Sequence, residues 1–118
     1  MANPSVTKGK VVLVPFPFDD LSGSKVRPAV CLTNPIGAHR HVILAFITSQ
    51  TPPDPAPSDI TLQPADSEFA ATGLRVASTI RLHRMMTVTT GLIARELGHV
   101  PAHIARDMDA KLQTLFSL

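Results

Sequence analysis

A chain of 118 residues and 12.6 kDa has room for one hydrophobic core, so a single domain over residues 1–118 is expected. Hydrophobic residues at 44% and charged ones at 17% exclude a disordered tail, and the lone Cys31 excludes a disulfide framework and any multi-cysteine zinc site. The net charge of +2 is too weak to name a polyanionic partner.

The first residues, Met1-Ala2-Asn3-Pro4-Ser5, carry no basic stretch followed by an apolar one, so no signal peptide is expected. Lys10 to Pro15 is a β-branched run and reads as a first strand. The apolar run through it, Val11 to Phe18, is broken by two prolines and cannot span a bilayer, which points to a soluble, cytoplasmic protein. Phe16 to Lys25 is a connection with turn residues at its centre. Pro28 then heads a second strand, Ala29 to Thr33, in which Cys31 reads as a buried structural thiol. Asn34-Pro35-Ile36-Gly37 is a turn, and Val42 to Ile47 is a third strand, apolar enough to be buried on both faces.

Thr51 to Ser58 holds four prolines and reads as a stiff surface loop. Ile60-Thr61-Leu62 is a short strand, and Ser67 to Gly73 a helical turn or a loop. Val76 to Leu82 and Leu92 to Val100 alternate as strands, although the second also fits a helix. Ile104, Met108, Leu112 and Leu115 recur at helical spacing with charges between them, which predicts an amphipathic helix opened by Pro101. Its apolar stripe has to cover the sheet. The expected fold is mainly β: a strongly bent, mostly antiparallel sheet forming a small SH3-like barrel, closed by a C-terminal α-helix.

Charge is unevenly spread along this scaffold. From Phe69 to Arg95 there are four arginines (Arg75, Arg81, Arg84 and Arg95) and His83, with no acidic residue. Arg81 and His83, two apart, would share a strand face. Arginine outnumbers lysine seven to four, which suits bidentate phosphate recognition as well as an ordinary solvated face. His39 and His41 could offer two metal ligands at a hairpin tip, but no third lies nearby in sequence, so a solvated pair is expected. There is no Gly-rich phosphate loop, no His-Glu-x-x-His and no nucleophile elbow.

The most specific pattern is Gly9-Lys10-Val11-Val12-Leu13-Val14-Pro15-Phe16-Pro17-Phe18-Asp19-Asp20, followed by Gly23-Ser24-Lys25-Val26-Arg27-Pro28-Ala29-Val30. Ile47-Thr48-Ser49-Gln50, Ser78-Thr79-Ile80-Arg81 and Leu97-Gly98 follow in the same order. Together these resemble the MazF/PemK family of toxin ribonucleases, over roughly Thr7 to Pro101. The resemblance implies a CcdB/MazF-type barrel that forms a homodimer, metal-independent cleavage of single-stranded RNA, no cofactor, and a small cognate antitoxin as partner.

Cutting RNA without a metal requires a base for the 2′-hydroxyl, an acid for the leaving 5′-oxygen and donors for the charge on phosphorus. Arg27 suits the last role as a permanently charged fork beside Pro28. By the resemblance Thr48 would hold a phosphate oxygen, and Arg81 would add a second phosphate contact or act as acid. Read alone, Thr48 would be a strand-end cap and Arg81 a salt-bridge partner.

Two family acids are missing: Ser22 stands where many members have a glutamate, and His83 where others have an aspartate. His83, titrating near ~6.5 when unperturbed, is one candidate base, and Asp19 or Asp20 the other. The RNA-binding set expected around them is Asp20, Ser22, Lys25, Ser49, Gln50 and Arg84, with Phe16 and Phe18 either stacking on bases or filling the core. The alternative function is a non-catalytic binder, either a degenerate RNA or antitoxin binder or a gyrase-poison-like protein. The lack of Trp counts against the gyrase poison, which uses a C-terminal Trp.

Overall fold

The computed structural model describes residues 6–15 and 25–118. Phe16, Phe18, Asp19, Asp20 and Ser22, for which sequence suggests site roles, lie outside the described residues. Six strands form one sheet: β1 (Lys10–Pro15), β2 (Val26–Cys31), β3 (His41–Thr48), β4 (Asp59–Leu62), β5 (Ser78–Thr89) and β6 (Arg95–His99). Their order is β4-β5-β3-β2-β1-β6, and every pairing is antiparallel. The helix α1 (Ala102–Leu115) follows Pro101 as expected.

The sheet is apolar on both sides, which is why β1 and β3 read as almost unbroken hydrophobic runs. Val11, Val30, Ala45, Ile47, Ile80 and Leu82 face α1, whose Ile104 and Met108 close that side. Side chains of this class stabilise the fold by roughly 1.5–3 kcal/mol each when fully buried. Leu115, the last residue of the predicted stripe, is left exposed. Val12, Val14, Ala29, Cys31, Val42, Leu44 and Val88 form a second cluster on the other face.

Cys31 is wholly buried there, and burial pushes its thiol up to about 11. Native protein at pH 8 is therefore expected to resist iodoacetamide, with alkylation completing only in denaturant. Labelling of the native chain at the rate of a small free thiol would contradict this burial.

Three sequence expectations need correction. The second strand, expected over Ala29 to Thr33 with Pro28 at its head, runs over Val26–Cys31, so Pro28 lies inside it. The strand expected over Val76 to Leu82 starts at Ser78 and continues to Thr89. Met85 to Thr89 stay extended because they pair with the first half of β3, a long-range contact that local alternation does not report. The strand expected over Leu92 to Val100 is only Arg95–His99, because Thr90–Leu92 tighten into a 3-10 turn. Ser67 to Gly73, by contrast, holds the helical turn read as one of its two options, a 3-10 turn at Phe69–Thr72 that packs against β6. Glycine makes this packing possible: a Cβ on Gly98 would drive into the Ala71 carbonyl, and one on Gly73 into that of Leu97.

Candidate functional site

Opposed residues in an antiparallel ladder share a face, so the register locates the site. On β2 and β3, Ala29 faces Phe46. On β3 and β5, Phe46 faces Arg81 and Thr48 faces Thr79, and Arg81 in turn faces Asp59 on β4. Arg27 lies one pleat from Ala29 and Thr48 one pleat from Phe46, so all of these occupy the face turned away from α1. There Arg27, Phe46, Thr48, Ser49, Gln50 and Arg81 line a cleft of about 420 Å³, joined by Arg75, Arg84 and the Pro52-Pro53 wall.

The chemistry of this cleft is cationic. Arg27, Arg75, Arg81 and Arg84 line it, and no carboxylate is among the described residues of its wall. The charge of Arg81 is matched by carboxylates behind the wall. Arg81, 7% exposed, donates from Nε to Asp59 Oδ1 at 3.1 Å, from Nη1 to Asp54 Oδ1 at 3.1 Å and from Nη2 to the Asp54 carbonyl at 3.0 Å. Hydrogen bonding to Arg81 and its charge hold the Asp54 carboxyl below the usual carboxylate range. On Arg81 burial works against the charge, yet the bonds to Asp59 and Asp54 leave the guanidinium even harder to deprotonate than usual. Asp59 also accepts the Ala56 N–H at 2.9 Å, so this ion pair fixes the proline loop that walls the cleft.

The strand register from which Arg81 and His83 would share a face is interrupted just beyond Arg81. Between Ala45 and Phe46 the ladder slips: Ala45 faces Met85, but Phe46 faces Arg81. The residues between form a bulge, which bends a strand and re-aims its side chains. Leu82 is buried on the helix side, His83 is exposed and absent from the cleft wall, and Arg84 turns onto the cleft. Arg84 Cζ lies over the Phe46 ring, 4.9 Å from its centroid. His83 is still close enough to Asp54 to act on it electrostatically.

The remaining candidates are placed as follows. Thr48 Oγ1 accepts the Gln50 N–H at 3.1 Å, the strand-end cap read from sequence, and it does so while lining the cleft. Lys25 is exposed just before β2 and does not line the cleft. Lys10 pairs with Glu96 at 3.0 Å, joining β1 to β6. His39 and His41 are exposed with ring centroids 5.8 Å apart, away from the cleft. Among the described residues one other donor cluster exists, Asp66, Glu68 and His103, but each ring nitrogen of His103 already faces its own carboxylate, at 2.9 and 3.1 Å. Sequence pattern does not reveal Phe46, which sits in a strand that reads as apolar on both faces, nor which carboxylates hold Arg81, since Asp59 and Asp54 lie 22 and 27 residues from it. Arg75 was visible only as part of the basic stretch.

A family model for the PemK-like, MazF-like toxin of type II toxin–antitoxin systems matches residues 7–116. The chain belongs to this family. Solved structures agree on the fold. MazF from Deinococcus radiodurans is 20% identical at a TM-score of 0.71, with 98% of this chain and 100% of that one covered. The Mycobacterium tuberculosis toxin MazF-mt6 is 18% identical at 0.67, with 92% and 97% covered. An endoribonuclease from a mycobacterial species, solved with its cognate antitoxin, is 18% identical at 0.67, with 96% of each chain covered. No curated protein matches closely. In this MazF-like chain Arg27 and Pro28, part of the pattern that carried the resemblance in sequence, both stand on the cleft wall.

Proposed function

We propose that this MazF-family chain is an endoribonuclease that cuts single-stranded RNA without a metal, acts in the cytoplasm as a homodimer and is neutralised by a small antitoxin. The observation that carries this reading is the arginine-lined cleft with Arg27 and Thr48 on one face. A cleft of 420 Å³ on one subunit is small for several nucleotides, which favours a groove completed by a second copy. An antitoxin partner is supported by the mycobacterial complex and by the MazE–MazF complex of Deinococcus radiodurans. No helix among the described residues is long and apolar enough to cross a membrane.

In the reaction the 2′-oxygen forms a bond to phosphorus while the bond to the 5′-oxygen breaks. The base removes the 2′-proton, and the 5′-oxygen takes up a proton as it leaves. Arg27 neutralises the charge that grows on the phosphoryl oxygens, and the Thr48 hydroxyl holds one of them. Ser49, Gln50, Arg75 and Arg84 line the path of the strand, and Lys25, Asp20 and Ser22 complete the proposed RNA-binding set. Arg81, its charge already matched by two carboxylates, acts by holding the proline wall. The base is His83, which acts electrostatically on Asp54, or Asp19 or Asp20.

The test is a long unstructured RNA incubated with the protein, with and without excess chelator. Cleavage is expected to survive the chelator, to stop on 2′-deoxy substitution at the cut site, and to leave a 2′,3′-cyclic phosphate and a 5′-hydroxyl. If His83 is the base, single-turnover rates rise with pH through the imidazole range, and His83→Ala removes that limb. An unchanged profile moves the base to Asp19 or Asp20. The position of His83 off the cleft wall favours one second reading, an RNA binder that does not cut. Tight binding with no cleavage at any pH would establish it.

A further inference from the structure

Phe46 stands at a break in the pattern of β3. Val42 and Leu44, on the same face, are closed off in the second core cluster, whereas Phe46 is half-buried at its edge and reaches the cleft. Directly opposite, β5 bulges. Counted from Leu82 along a regular strand, Arg84 would share the helix-side face with it. The bulge instead turns Arg84 onto the cleft and over the Phe46 ring.

A bulge leaves part of the ladder unpaired, so the site gives up backbone bonds to aim an exposed guanidinium at an aromatic ring. Arg84 also differs from Arg81 in kind. Among the described residues no carboxylate pairs with it, whereas Arg81 is held by two. Arg84 thus keeps its charge and its planar group for a ligand. A supported guanidinium plane beside phosphate-binding arginines is what an unstacked nucleobase seeks in a single-strand site.

We propose that the Arg84–Phe46 pair is a base-stacking subsite, in which one nucleobase of single-stranded RNA stacks on the Arg84 guanidinium while Phe46 supports it. This rests on reading the cleft as an RNA site. It adds to that reading a position that senses the base rather than the phosphate, and it gives Arg84 a role a lysine cannot fill.

The experiment uses two uncleavable probes, a fluorescein-labelled eight-nucleotide 2′-O-methyl oligoadenylate and the same backbone with abasic sugars. Anisotropy titrations of the full chain give the affinity ratio between them. The parent protein is expected to prefer the base-bearing probe by about tenfold, the effect of one stacked base. Arg84→Lys, which keeps the charge, and Phe46→Leu, which keeps an apolar side chain, should bring the ratio towards one with abasic binding nearly unchanged. Arg84→Lys replaces an exposed side chain, so it keeps the test decisive should Phe46→Leu fold poorly.

A ratio unaffected in Arg84→Lys overturns the proposal, whether the pair then serves only the fold or contacts an antitoxin instead. Parent protein that cleaves RNA and shows that unchanged ratio sinks the stacking subsite alone. Parent protein that binds neither probe sinks both the subsite and the RNA reading. A ratio lost in the variants of a parent that does not cleave supports the subsite in a non-cutting RNA binder.

Discussion

Arg27→Ala is expected to lower the single-turnover rate of RNA cleavage by about two to three orders of magnitude, the usual effect of removing one donor aimed at a developing oxyanion. Arg27 is exposed at the start of β2, so the loss does not come through the core. Affinity for an uncleavable oligonucleotide should fall much less, because Arg75 and Arg84 still line the cleft and the missing interaction is strongest in the transition state. Arg27→Lys should recover little: an ammonium carries the charge but not the fork that spans two phosphoryl oxygens. Single-turnover kinetics under excess protein, set beside anisotropy binding, separates the two effects. Should Arg27→Ala cleave as fast as the parent, the ribonuclease reading of this cleft fails.

Arg81→Ala should act on stability instead. Removing the guanidinium leaves Asp59, whose side chain is 10% exposed, with a buried charge and only the Ala56 amide for compensation. Breaking a buried pair from one side costs about 3 kcal/mol or more. For a domain of this size that is a fall in melting temperature of roughly 10 °C.

The same link predicts a pH dependence. The Asp54 carboxyl is held below its ordinary range in the folded state, so its contribution is complete above that range and disappears as pH falls through the depressed value. The gap in melting temperature between parent and Arg81→Ala should therefore narrow on acidification.

Asp59→Asn separates positioning from contact. If Arg81 works by holding the proline wall, Asp59→Asn raises KM as Arg81→Ala does, although it removes no cation from the cleft. A variant Asp59→Asn that cleaves with unchanged KM, while Arg81→Ala loses kcat, would make Arg81 a direct phosphate ligand.

The division between what was legible in the chain and what was not follows the range of the forces involved. The near-continuous apolar runs of β1 and β3, the proline loop and the Ile104–Met108 stripe are local patterns, and they suffice for a mainly antiparallel sheet closed by a helix, while Leu92 to Val100 fits strand or helix from sequence alone. The Arg27-Pro28 motif likewise carried its own identity, because the backbone of one strand start positions it. The bulge in β5 was not legible. Alternation says which face a residue takes only while the ladder stays in register, and the partner strand decides where it slips. Past that slip it is Arg84, not His83, that lines the cleft. The engagement of Arg81 was equally hidden, since Asp54 and Asp59 have no signal of their own in a proline-rich loop. Only chain closure brings those carboxylates to the guanidinium, and a charge that from sequence fits a phosphate contact or a salt bridge is, in the folded protein, a salt-bridged part of the wall.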